Sequence, residues 1–123
     1  MQLGIMDLGK VFARLLQPLE YCVLHSTVTK RKDWSYRTRK LILTNRMRLF
    51  YTDMQGNYKG CVPWSLTKLI STDRVSDVKF QITVHDSSRV YHIRLHDTHV
   101  DHWIRSIDLF NLTQTEYLKK MKK

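Results

Sequence analysis

The chain is short of acid. Its 123 residues carry 11 Asp and Glu against 21 Lys and Arg, a formal net charge of +10. A surplus of that size favours partners that bear phosphates: nucleic acid, an anionic membrane surface or a phosphorylated small molecule. Cysteine is scarce too. Cys22 and Cys61 are the only two, far apart, and match no metal-ligand spacing. They fit reduced thiols in core strands, although spacing alone leaves a disulfide open. No apolar run approaches the roughly 20 residues of a membrane span. The opening MQLGIMDLGK lacks the basic-then-apolar order of a signal peptide. Membrane contact is therefore expected to be peripheral and the location cytoplasmic. Catalytic signatures are missing as well: there is no Gly-rich nucleotide loop, no HRD and no DFG, and no serine sits in an activating motif. Neither catalytic residues nor a cofactor is expected. His96, His99 and His102 recur at i, i+3 and i+6, but no carboxylate or thiol completes a metal set, so no metal site is expected.

The length suits one domain with a real core. Leu8, Val11, Phe12, Leu15, Leu16 and Leu19 keep helical spacing, and Pro18 closes that pattern. Residues 1–19 thus read as a helical extension packed on the domain. The period then drops to two. YCVLHSTV, YRTRKLILT, RLFYTD, YKGCVPW and LTKLIST read as five strands, and VKFQITVH and RVYHIRLHD as a hairpin about Asp86-Ser87-Ser88. Gly56-Asn57 marks another turn. Helical spacing returns in Val100, Trp103, Ile104, Ile107 and Phe110, after an Asp97-Thr98 cap. The expected fold is mainly β: a seven-stranded antiparallel barrel or sandwich over residues 20–112, plugged by an amphipathic C-terminal helix around Trp103. Residues 113–123 read as a basic, unordered tail.

Charge concentrates in KRKDWSYRTRKLILT, where six basic side chains fall between Lys30 and Lys40 before the segment turns apolar. Alternation puts Arg37 and Arg39 on one face of the second strand. Lys30 and Lys32 lie across the loop from them, so cations line both walls of a cleft. Arg suits the centre of such a cleft because its planar fork grips a phosphate with two hydrogen bonds. Trp34, at the loop tip, reads equally as an interfacial membrane anchor or as a ring folded back on the barrel.

These segments resemble the pleckstrin homology domain family. The likeness runs from about Tyr21 to Leu112 through KRKDWSYRTRKLILT, RLFYTD, YKGCVPWS, HDSSRVYHI and DHWIRSI. It is nearest to the C-terminal domains of the phosphoinositide-dependent protein kinases, with KGxxPWS its most specific element. The resemblance implies an inositol phosphate pocket at Lys30, Lys32, Arg37, Arg39, Lys59 and Arg89, all basic here. It implies a preference for phosphatidylinositol 3,4,5-trisphosphate or the 3,4-bisphosphate, and peripheral recruitment of the bearer, a Ser/Thr protein kinase, to the plasma membrane. Asp33 departs from the family by bringing a negative charge into the loop.

Other readings stay open beside this one. The ligand could equally be a soluble inositol polyphosphate. The same fold also serves as a protein- or peptide-binding module through an open sheet edge. Nucleic acid is not an expected partner, because the charge gathers at one strand mouth and no RNA-binding motif is present.

Overall fold

The computed structural model describes residues 14–32 and 34–121. Seven strands form one antiparallel sheet: β1 (Cys22–Lys32), β2 (Ser35–Thr44), β3 (Leu49–Thr52), β4 (Tyr58–Cys61), β5 (Ile70–Arg74), β6 (Lys79–Val84) and β7 (Arg89–Leu95), followed by the helix α1 (Val100–Met121). The order across the sheet is β4-β3-β2-β1-β7-β6-β5. With every neighbour antiparallel, the β1–β2, β3–β4 and β6–β7 loops emerge at one end. The β2–β3 and β5–β6 turns emerge at the other.

Alternation supplies the core. Val28, Leu41, Leu43, Leu49, Phe80, Ile82, Val84, Tyr91, Ile93 and Leu95 face inward from the two halves of the sheet and meet in one cluster. Val100, Trp103 and Ile107 of α1 complete it. Trp103 is 0% exposed and stacks on Phe80, with ring centroids 6.4 Å apart. Its indole N–H donates to the buried Ser26 hydroxyl at 2.9 Å, and Ser26 in turn pairs with Thr98 at 2.7 Å. The plug is thus apolar where it meets the sheet and bonded where it would otherwise strand a donor.

A smaller cluster forms on the outer face. Ile42 and Phe50 are buried there under Leu15, Leu16 and Cys22. The chain from Leu15 to Tyr21 is clasped by the β2–β3 turn, while Arg14 donates to Gly56 and Asn57 of the β3–β4 turn. The Glu20 carboxylate is fully enclosed. It accepts from Thr44 Oγ1 at 2.7 Å and the Gln17 N–H at 2.9 Å, and pairs with Arg48 Nε at 3.1 Å. Arg48 also donates to the Leu15 carbonyl and Arg46 to that of Pro18. Residues 14–19 are turns; most of the expected N-terminal helix lies outside the described residues, as do Asp33, Lys122 and Lys123.

Several boundaries move: β1 runs on to Lys32 past the expected Val28, and β4 stops at Cys61, short of the expected Trp64. The helix does not stop near Leu112 but runs to Met121, so 113–121 is helical where an unordered tail was expected. Gln114 explains this: it is buried, and its amide donates to the carbonyls of Ser65 and Lys68. Asn111 adds a bond to the Ile70 carbonyl at 3.2 Å. The fifth strand begins at Ile70 rather than Leu66, because Ser65 Oγ accepts the N–H groups of Thr67 and Lys68 and turns that segment. Both cysteines are free thiols. Cys22 is half-buried, with burial pushing its pKa to about 11, and Cys61 is exposed.

Two stability outcomes follow. Trp103→Ala removes the plug and should cost about 3–5 kcal/mol in urea unfolding, enough to leave the domain largely unfolded. Glu20→Gln keeps the shape but strips the charge from an enclosed hub; unfolding should fall by about 1.5–3 kcal/mol.

Candidate anion-binding cup

The end opposite α1 carries the β1–β2, β3–β4 and β6–β7 loops, and alternation decides which side chains face inward there. On β1, Lys30 shares the inward face of Val28 and Ser26; on β2, Arg37 and Arg39 share that of Leu41. Register sets Lys30 directly opposite Arg37, and Val28 opposite Arg39. Directly opposed residues have Cβ atoms about 5 Å apart, and like charges so placed repel.

Lys30 is only 7% exposed. Its ammonium lies 4.5 Å from the centroid of the Tyr51 ring and 5.5 Å from that of Tyr91. Aromatic faces stabilise such a cation by about 0.5–2 kcal/mol. Tyr91 meets a second cation, the Arg89 guanidinium, at 4.5 Å. Its phenol reaches the Cys61 carbonyl at 3.4 Å. Burial holds the Tyr91 phenol above its ordinary range, against the opposing pull of Arg89, so it stays a neutral donor. Arg39 is half-buried and Arg37 exposed, grading from wall to rim.

Gly60 makes this arrangement possible. It stands opposite Tyr51 on β4, and a Cβ there would fall 2.5 Å from the Tyr51 hydroxyl. The missing side chain lets the Tyr51 ring lie across β4 while also facing Lys30. The KGxxPWS element therefore has a structural basis: Gly60 clears the ring, Val62 and Trp64 enter the core, and Ser65 builds the turn that Gln114 grips.

Of the six candidates, Lys30 and Arg89 both lie on the Tyr91 ring, and register puts Arg37 opposite Lys30 and Arg39 opposite Val28. Lys59 is exposed and sits where the β3–β4 register slips between Tyr51 and Thr52. Asp53 lies close to it: the carboxyl is held below its ordinary range mainly by hydrogen bonds from Asn57, with the Lys59 charge a smaller contribution. Lys59 thus belongs to the rim, beside a carboxylate. Lys32 ends β1 opposite Ser35, and its side chain lies outside the described residues. Trp34, at the β1–β2 tip, is 95% exposed. The sequence reading missed Tyr51 and Gly60. Alternation from Leu49 could have turned Tyr51 inward, but only the β3–β4 register reveals its dependence on Gly60.

The arrangement presents point charges and forked donors to one small volume, the chemistry that grips phosphate oxygens. Among the described residues no helix is long and apolar enough to cross a membrane. A protein-family model described as PH domain matches residues 10–116. Among curated proteins no match is found.

Gly60→Ala should push the Tyr51 ring aside and loosen Lys30. Unfolding free energy should drop by about 1–3 kcal/mol, with ring-proton resonances of Tyr51 shifted in NMR spectra; unshifted Tyr51 resonances would contradict the packing described.

Proposed function

The chain belongs to the PH domain family, and from that premise we propose that its open cup binds the multiply phosphorylated head group of an inositol lipid, bringing its bearer to a membrane surface. Members of this family serve generally as lipid- or protein-interaction modules, and no catalytic family matches the chain. The observation that carries the finer reading is the enclosed Lys30 ammonium, facing Arg37 across the strand pair, with Arg39 and Arg89 at the same end. Gathering these cations costs the fold mutual repulsion, which the tyrosine rings offset only in part. A ligand bearing several phosphates turns the same repulsion into attraction.

Arg39 and Lys30 are assigned the central contacts, Arg37 and Lys32 a supporting role, and Lys59 and Arg89 the choice among phosphate positions. Head groups phosphorylated at the 3-position, those of phosphatidylinositol 3,4,5-trisphosphate or the 3,4-bisphosphate, are the proposed ligands; free inositol polyphosphates share their chemistry. Trp34, solvated at the adjoining tip, is assigned to the interfacial layer of the plasma membrane. The KGxxPWS element extends the reading to a protein-kinase bearer, of which this chain is the regulatory domain.

Arg39→Ala should weaken binding of inositol 1,3,4,5-tetrakisphosphate at least about tenfold in calorimetry, the loss expected for one charge-assisted contact. The melting temperature should hold. Vesicles carrying each phosphoinositide isomer at equal total charge then test selectivity. Unchanged affinity in Arg39→Ala, or equal binding to every isomer, would overturn the assignment.

A further inference from the structure

The chain that leads into β1 crosses the outer face of the sheet as a strap fixed at both ends. Glu20 and the carbonyls of Leu15 and Pro18 tie it to Thr44, Arg46 and Arg48 about the β2–β3 turn. Leu15 and Leu16 lie on Ile42 and Phe50 along the way. Arg14 then reaches the β3–β4 turn, which stands at the cup end of the sheet.

The contact there is specific. One terminal nitrogen of the Arg14 guanidinium donates to Asn57 Oδ1 at 2.9 Å and to the Gly56 carbonyl at 3.4 Å. With its oxygen held by Arg14, the Asn57 amide turns its nitrogen to Asp53 and donates to Oδ2 at 3.0 Å. The Gln55 and Asn57 N–H groups both donate to Asp53 Oδ1 at 2.9 Å. The bonds from Asn57, more than the nearby Lys59 charge, hold the Asp53 carboxyl below its ordinary range. That carboxylate is engaged by its own turn, and the exposed Lys59 ammonium is left to solvent. Arg14 is itself exposed and belongs to neither core cluster, so packing gives no reason for its reach.

A carboxylate beside a rim lysine competes with any phosphate for it. An amide side chain has one acceptor oxygen. Without Arg14 that oxygen loses its donor, the Asn57 side chain turns to water, and Asp53 Oδ2 is released toward Lys59. We propose that Arg14 is a positioning residue for the cup's rim: by fixing the Asn57 amide it keeps Asp53 engaged and Lys59 available to a phosphate of the head group. The strap thereby joins the chain entering the domain to the choice among phosphate positions assigned to Lys59. Anything that draws Arg14 away from the β3–β4 turn changes ligand preference while leaving the cup's central cations in place. The inference rests on the reading of the cup as the head-group site.

The test is a double-mutant cycle on the full chain, titrating inositol 1,3,4,5-tetrakisphosphate in a calorimeter with the unmutated protein, R14A, K59A and R14A/K59A. R14A should weaken binding about threefold, the scale of one exposed ion pair competing for Lys59. In the K59A background the same substitution should weaken it no further, whereas a merely structural Arg14 would act alike in both. On vesicles bearing single phosphoinositide isomers at equal total charge, R14A should shift preference in the same direction as K59A. The side-chain amide resonances of Asn57 should also move in ligand-free R14A, a readout independent of binding. Unchanged affinity in R14A, an equal loss in both backgrounds, or unmoved Asn57 resonances overturns the positioning role and leaves the cup standing. If the unmutated chain does not bind the ligand at all, the cup reading fails, and the role of Arg14 falls with it.

Discussion

One hydrogen-bonded ring decides which end of this molecule can do chemistry. The Trp103 indole fills one end of the curled sheet and donates its N–H to Ser26 inside β1. An open antiparallel sheet curled over a single core has two ends. Closing one with a helix leaves the other to be lined by whatever the strands carry there. Here the strands carry Lys30, Arg37, Arg39 and Arg89. The cup is therefore a consequence of the plug: without Val100, Trp103 and Ile107 of α1 the strand core is left uncovered at that end, and the cations lose part of the frame that holds them at the other.

Convergence of like charge is costly, and the structure shows how that cost is contained. Lys30 is enclosed, yet its ammonium faces the rings of Tyr51 and Tyr91 instead of bare hydrocarbon. The ring faces are electron-rich, so they partly replace the water the ammonium has lost. Tyr51 reaches that position only because β4 offers Gly60 beneath it. A chain of small dependencies thus runs from a glycine to a ring to an ammonium. Arg89 leans on the other aromatic, Tyr91, which leaves its guanidinium close to the rim with one face supported.

Much of this was legible from the residues. The period-two runs located all seven strands, four of them (β2, β3, β6 and β7) to within two residues, and the 3.6 period located α1, because both patterns report burial directly. The elements that moved are those governed by hydrogen bonds rather than by burial pattern. Ser65 turns its segment through side-chain bonds that leave no periodic trace, which delays β5. Gln114 is polar, so the pattern ended the helix before it; buried against two carbonyls, it extends the helix instead. At the cup, spacing paired Arg37 with Arg39 correctly. Position in the chain could not reveal that Lys59 falls at a slipped register beside Asp53, since a bulge changes which way a strand residue faces.

The β1–β2 hairpin shows why a run of basic residues should not be read as a single patch. Five of its six cations, those with described side chains, divide by parity. Lys30, Arg37 and Arg39 turn toward the core side, while Arg31 and Lys40 turn toward the outer face, with Thr27 and Tyr36 opposite them across the pair. Had all faced one way, their mutual repulsion would have been hard to contain in a structure whose net charge is already +10. Splitting them places a sheet's thickness of peptide between the two groups and leaves each face with its own support: tyrosine rings around Lys30 within, and the Thr27 hydroxyl that accepts from Lys40 without. The same two-residue period that builds the core thus also sorts the charge, and two electrostatically distinct surfaces arise from one continuous stretch of chain.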